Sequence, residues 1–186
     1  MDSQLKQLYG SWIQAIGTIV AAIGSTPNKY VTKEFLDALE LWGNVLQATG
    51  NALEADGGGE ELEVLGNEIQ AIGNVTVVAG LVLHVEKNVG QRLEITGNWL
   101  QALGGGVALG AELDEERTPS SAYIINGNLL QSIGNSMQAI SGIYELREDG
   151  GFQTHPKIDS QTLEVSGSWI QAVGSVLTLI GQIKES

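Results

Sequence analysis

Histidine and carboxylate side chains are the groups in this sequence that could do acid–base or metal chemistry. Neither His84 nor His155 has a companion at the spacing of a metal site, and the serines mostly occupy repeat or cap positions rather than that of a nucleophile. The acidic runs at 60–63 and 114–116 are typical of a helix first turn and a solvated connector. DGGGEE at 56–61 lacks the spacing of an EF-hand loop. We therefore expect that the protein is not an enzyme and that it has no metal, cofactor or small-molecule substrate.

The composition excludes further classes of function. The chain has 186 residues and no cysteine, so it has neither a disulfide framework nor a thiolate metal site. Its 22 acidic and 9 basic residues give a net charge of -13, which repels nucleic-acid phosphates and anionic lipid surfaces. No nucleic-acid partner is expected. Glycine is unusually frequent, with 25 residues.

An octet of the form G-[N/S]-x-apolar-Q-[A/S]-x-G recurs along the chain, and such self-similarity indicates a repeat architecture. The copies are GSWIQAIG at 10–17, GNVLQATG at 43–50, GNEIQAIG at 66–73, GNWLQALG at 97–104, GNLLQSIG at 127–134 and GSWIQAVG at 167–174. The same motif argues against a signal peptide at 10–17, because cleavage signals are not repeated through a mature fold.

The spacing of small and apolar residues in each copy fits the period of a helix and not that of a strand. All three prolines lie between the copies, beside other residues that break helices. We therefore predict an all-α single domain of six antiparallel helices, arranged as a compact bundle or a two-layer array. The predicted helices cover about 3–24, 32–56, 60–86, 90–113, 120–147 and 159–184. Thr32 or a residue near it is the predicted N-cap of the second helix.

The first and last residues of every octet are glycines, which we predict to form helix-packing seams. A glycine inside a helix costs about 0.8–1 kcal/mol relative to alanine, so twelve of them cost on the order of 10 kcal/mol. Close approach of two helix backbones is the physical gain that offsets this cost. The seam glycines are Gly10, Gly17, Gly43, Gly50, Gly66, Gly73, Gly97, Gly104, Gly127, Gly134, Gly167 and Gly174.

One glutamine occupies the same octet position in every copy, beside the predicted seam. On a helical wheel it forms a narrow polar edge with Asn or Ser, whereas the glycines and apolar positions form one wide arc. Buried amides need partners, so we predict that these glutamines fix the packing register by bonding to backbone or to Asn44, Asn67, Asn98 and Asn128. A solvated edge without partners and a ligand-binding row are the alternatives. The six are Gln14, Gln47, Gln70, Gln101, Gln131 and Gln171.

The outer sides of these helices carry almost no charge. Glu68 is the one charged residue in the six octets, so we expect the helix middles to be covered on most sides. Trp12, Trp99 and Trp169 share one octet position, and Trp42 is close to it on the wheel. Core or interface packing is the predicted role of these tryptophans, with an aromatic binding surface or a membrane-interface belt as the alternative.

The G-N-x-L-Q-A-I-G unit resembles that of uncharacterised bacterial repetitive proteins that carry a domain of unknown function. The resemblance covers most of the chain and rests on this one unit. It implies a bacterial origin and a non-enzymatic role, and it brings no activity with it.

Three functional hypotheses follow. The first is a structural protein whose tightly packed helices form a scaffold or homo-oligomer. The second, which we favour less, is a soluble membrane-active protein of the pore-forming or lysis type, since 7–28, 118–144 and 165–183 are uncharged and long enough to cross a bilayer of about 30 Å. The third is a helical module for an apolar ligand or partner helix. We expect the protein in the cytoplasm, or released without a cleaved signal peptide, and not as an obligate membrane protein.

Overall fold

The computed structural model describes residues 2–114, 118–151 and 159–185, and the regular structure of these residues is entirely helical. The six helices are α1 (Ser3–Gly24), α2 (Lys33–Gly57), α3 (Glu61–Val82), α4 (Lys87–Asp114), α5 (Pro119–Asp149) and α6 (Ser160–Glu185). The prediction of an all-α fold with six compactly packed helices is confirmed.

Side-chain caps explain where two of the helices begin. The predicted cap of α2 is the observed one, because the Thr32 hydroxyl accepts a hydrogen bond from the backbone N–H of Phe35. At the start of α5, Thr118 and Ser121 bond reciprocally to each other's backbone N–H groups and form a capping box. Pro119 follows at the first helical position, where its fixed φ suits the helix.

The connector between α3 and α4 differs most from the predicted boundaries. α3 ends at Val82 rather than at 86, because Leu83 is extended with φ -69° and ψ 132°. α4 begins at Lys87 rather than at 90, and the backbone N–H of Gly90 donates to the carbonyl of Glu86 at 3.1 Å. Gly90 therefore lies inside the first turn of α4.

The helices close into a ring. Each helix packs against its neighbours in sequence, and α6 packs against α1. Between α1 and α6, the hydroxyl of Thr18 bonds to that of Ser175, and the hydroxyl of Ser25 bonds to that of Ser168. From the first pair to the second, the residue number rises in α1 and falls in α6, so these two helices are antiparallel. An even number of alternating helices lets the ring close with every neighbour antiparallel, and the arrangement is a bundle rather than a two-layer array.

Candidate functional site

The octet glycines lie where the two helices of each hairpin meet. In the α1/α2 hairpin, Gly10 lies opposite Gly50 and Gly17 lies opposite Gly43. A Cβ on Gly17 would lie 2.8 Å from the carbonyl oxygen of Gly43, and one on Gly50 would lie 2.7 Å from that of Gly10. The facing atoms belong to the backbone, so they have no flexible side chain that could give way. The backbones of α1 and α2 are therefore in direct contact at these glycines, at a separation that leaves no room for a side chain.

The same pairing is found in the other two hairpins. A Cβ on any of the twelve seam glycines would lie 2.5 to 2.8 Å from a backbone atom of the facing helix. Such distances place the Cα hydrogens against carbonyl oxygens, which gives weak C–H···O contacts along the seam. The facing pairs are Gly66 with Gly104 and Gly73 with Gly97 in α3/α4, and Gly127 with Gly174 and Gly134 with Gly167 in α5/α6.

Glutamines from the odd-numbered helices meet other buried polar groups on the axis of the ring. The Gln14 amide donates to the Asn51 side-chain oxygen at 2.5 Å and to the Gln131 oxygen at 3.2 Å, which joins α1 to α5 across the ring. Gln131 in turn donates to the Thr178 hydroxyl at 3.2 Å. Gln70 of α3 is buried as deeply as these two.

Glutamines from the even-numbered helices form a second group on the axis. The Gln171 amide donates to the oxygens of Gln47 at 2.7 Å and Gln101 at 3.2 Å, and its own oxygen accepts from Gln138 at 2.9 Å. All six octet glutamines are buried, so they do not form a solvated edge. The hydrogen bonds of these glutamines go to other glutamines, Asn51 and Thr178 rather than to the predicted octet asparagines. Asn44 instead donates to the carbonyl of Glu40 in its own helix at 3.0 Å.

Large apolar side chains cover the outside of the ring. The four tryptophans are 41% to 62% exposed, which contradicts a role in the core of this chain. The wide arc of glycines and apolar residues on each helix therefore has two parts. The glycines of the arc are buried between helices, and its large apolar side chains point outward. We name as the apolar belt the exposed residues Trp12, Ile16, Trp42, Ile72, Trp99, Leu103, Leu129, Ile133, Trp169 and Val173, which come from all six helices.

This distribution is the reverse of that in most water-soluble proteins. The buried apolar side chains are mainly alanines, while Gln, Asn, Ser and Thr supply most of the deeply buried groups. The hydrophobic effect favours the opposite arrangement in water. Exposed large apolar side chains in this number indicate a site of interaction. Glu68 is exposed within the belt, at the octet position that tryptophan occupies in α1, α4 and α6.

One end of the ring opens into a cavity of about 1170 Å³. Glu40, Glu94 and Glu164 line it from α2, α4 and α6, each three residues before the first octet glycine of its helix. Burial, together with the charges of the neighbouring carboxylates, raises the pKa of Glu94 to about 7 and that of Glu164 to about 8. Burial also raises the pKa of Glu40. Glu145 of α5 adds a carboxyl group from a fourth helix, so that α2, α4, α5 and α6 all contribute at least one to the lining.

A separate buried carboxyl group lies toward the other end of the ring. Glu54 of α2 is 5% exposed and packs against Gly10, and its Oε1 atom has no hydrogen-bond partner among the described residues. Its pKa is raised to about 8, because burial and the charge of Glu63 raise it by more than a hydrogen bond from Ser11 lowers it. Glu54 is therefore protonated in the folded protein at neutral pH.

The cavity glutamates follow a sequence pattern, but the pattern alone does not show their role. A Leu-Glu pair precedes the octet at Glu40, Glu63, Glu94 and Glu164, but nothing in one sequence shows that three of these residues share a cavity. His84 lies exposed between α3 and α4, and His155 lies outside the described residues.

Two further properties bear on the chemistry of the described chain. Within the residues that the structure describes, no group of three or more His, Cys, Asp or Glu side chains has the geometry to hold a metal ion. In the same residues one helix, Ser160–Glu185, is long and apolar enough to cross a membrane by length and composition, with a mean hydropathy of 1.3.

Comparison with known proteins gives a family without an assigned activity. No curated protein and no solved structure shows significant similarity to the chain. One family model matches residues 5–179, which include all six octets. The chain therefore belongs to DUF6944, a family of unknown function.

Proposed function

We propose that this protein is a non-enzymatic structural protein that assembles with copies of itself through the apolar belt. The observation that carries the proposal is the exposure of large apolar side chains on all six helices of a ring whose interior is polar. Apolar surface contributes about 25 cal/mol for each Å² removed from water. Covering the belt is therefore the largest stabilisation open to this molecule beyond its own fold.

The positions of the tryptophans favour protein over lipid as the covering material. Tryptophan concentrates at the two interfaces of a bilayer, whereas Trp12, Trp99 and Trp169 lie near the middle of their helices. The exposed Glu68 would face hydrocarbon, where a carboxylate costs on the order of 3 kcal/mol. Tryptophan at the centre of a contact surface is instead typical of protein interfaces.

The repetition of the belt favours a second copy over an unrelated partner. Ile16, Ile72, Leu103 and Val173 occupy the same octet position on four different helices, and each is about half exposed. A single unrelated partner would cover one side of the ring and leave the others in water. Copies of this chain present the same residues on every side, so lateral packing covers the whole circumference and produces a sheet, filament or particle.

The test is the assembly state of the purified full chain in detergent-free buffer, by sedimentation velocity over a hundredfold concentration range and by negative-stain microscopy. The wild type should form large species. The variant Ile16→Lys/Ile72→Lys/Leu103→Lys/Val173→Lys should remain monomeric and helical, because all four positions are exposed. A matched control with four lysines at exposed sites near the helix ends, Gln4→Lys/Asn28→Lys/Asn88→Lys/Gln161→Lys, should assemble like the wild type.

Two results would overturn the proposal. One is a wild type that is strictly monomeric at every concentration and shows no ordered particles. The other is a wild type that stays monomeric in buffer but floats with phosphatidylcholine vesicles, which would identify lipid as the covering material and favour the membrane-active function.

A further inference from the structure

The cavity at one end of the ring gathers carboxyl groups from four helices. Glu40, Glu94 and Glu164 are half-buried and come from equivalent positions on alternate helices, and Glu145 lies exposed at the rim. The middle of the ring is filled by hydrogen-bonded amides, whereas this end holds a cavity of about 1170 Å³. This end of the interior therefore combines open space with acidic side chains from four helices.

Among the described residues, each lysine that lines the cavity forms an ion pair with an aspartate. Lys33 lines the cavity and forms an ion pair of 2.7 Å with Asp37, one turn further along α2. Lys87 lines it and forms an ion pair of 2.7 Å with Asp149. Both pairs lie at the solvated rim. The charge of Lys33 lowers the pKa of Glu40, but burial and the charge of Asp37 raise it more, so this pKa stays above its ordinary value.

Within the part of the chain that the structure describes, the other helices add no positive charge to the lining of the cavity. Its lining residues from α1 and α3, such as Gly24, Val77 and Gly80, carry no titratable side chain. The titratable or charged groups that line it are Lys33, Glu34, Asp37 and Glu40 from α2, Glu86 from the connector, Lys87 and Glu94 from α4, Glu145 from α5 and Glu164 from α6.

We propose that this end of the ring is a proton-operated latch, closed while Glu40, Glu94 and Glu164 are protonated and opened by their mutual repulsion when they ionise. The repulsion acts between the N-terminal parts of α2, α4 and α6. The glycine seams and amide groups hold the middle of the ring together, so only the ends of these helices separate. The latch belongs to the fold of one chain and does not depend on the assembly proposed above.

The direction of the pH response follows from the carboxyl groups themselves. The pKa values of Glu94 and Glu164 in the folded chain, about 7 and about 8, lie above those of exposed glutamates. The closed state therefore holds protons that the open state releases, so closure is complete at pH 5 and is lost as the pH rises through 7 and 8. Glu40, Glu94 and Glu164 act as one coupled cluster, so the opening is expected as a single broad transition.

Distances between spin labels test the latch directly. The chain has no cysteine, so labels go only where cysteines are introduced. Asn88→Cys with Gln161→Cys spans the cavity end between α4 and α6, and Gln4→Cys with Glu61→Cys spans the other end between α1 and α3. All four sites are exposed. Both pairs are placed in a Glu54→Gln background, which removes the other buried carboxyl group, and distances are measured at pH 5 and pH 9.

The first pair should show a longer and broader distance distribution at pH 9, and the second should not change. The variant Glu40→Gln/Glu94→Gln/Glu164→Gln should keep the pH 5 distance at both pH values, because glutamine has the shape of the protonated acid. Single Glu94→Gln and Glu164→Gln variants, expected to open partly, keep the test informative if the triple variant does not fold. Equal distances at both pH values, equal opening in the triple variant, or loss of helical circular dichroism at pH 9 would each overturn the latch.

Discussion

Two glycines of α4, two residues apart, give opposite predictions for the same substitution. A Cβ on Gly104 would lie 2.5 Å from the carbonyl oxygen of Gly66, whereas one on Gly106 would meet nothing within 4 Å. Where space allows, replacing a glycine inside a helix by alanine stabilises the helix by about 1 kcal/mol. Gly106→Ala should therefore stabilise the protein by about 1 kcal/mol.

Gly104→Ala should destabilise it despite the same gain in helix propensity. Real Cβ contacts do not occur at 2.5 Å, so α3 and α4 must separate locally, and overpacking of this kind costs about 1–3 kcal/mol. Contacts along the seam on both sides of the substitution weaken as well. We expect a net loss of about 1–2 kcal/mol, and thus a difference of about 2–3 kcal/mol between the two variants.

Urea unfolding followed by circular dichroism gives the free energy of unfolding of each variant at one protein concentration, with the slope checked for constancy. Gly110→Ala is a second control in α4, since a Cβ there also meets nothing within 4 Å. If Gly104→Ala were as stabilising as the two controls, the glycine seam would not be the reason for close packing of this hairpin.

The remaining predictions concern the buried polar groups. Gln131→Ala should lower the free energy of unfolding by about 2–4 kcal/mol, because it removes one hydrogen bond each from the buried Gln14 and Thr178 and opens a cavity. The exposed Gln4→Ala should change it by less than about 0.5 kcal/mol. Glu54 has a raised pKa of about 8, so its folded form binds a proton that the unfolded chain releases, and the wild type should lose stability as the pH rises from 5 to 9. Glu54→Gln should match the wild type at pH 5 and exceed it by a few kcal/mol at pH 9, as measured by thermal or urea unfolding; an unchanged pH slope would contradict the burial of this carboxyl group.

The repeat made much of the fold predictable. Small residues seven apart stay on one side of a helix, so the octet alone indicates both the helices and the surface on which they approach each other. The six copies gave the number of helices. The boundaries near 82–90 were harder to predict, because the extended Leu83 and the early start of α4 depend on the turn between the helices.

The side of each helix that faces the axis of the ring was not predicted from the sequence, although the helical wheel of the octet explains it. The octet glutamine lies about 40° from the first glycine and the octet tryptophan about 200° from it, at about 100° per residue. Once the glycines close a hairpin, Gln14 is directed toward the axis and Trp12 away from it. The prediction for the tryptophans is core or interface packing; their exposure excludes the core of this chain, and interface packing stays a prediction. The cavity glutamates could not be found from one helix, because their meeting depends on closure of the whole ring.

The most direct test of the proposed assembly is acrylamide quenching of tryptophan fluorescence across a dilution series in lipid-free and detergent-free buffer. All four tryptophans lie on the exterior and are substantially exposed in the isolated chain. If copies of the chain cover the apolar belt, quenching falls as protein concentration rises, in step with the sedimentation coefficient. Tryptophans that remain fully quenchable at every concentration, in a protein that sediments as a monomer, would contradict the proposal.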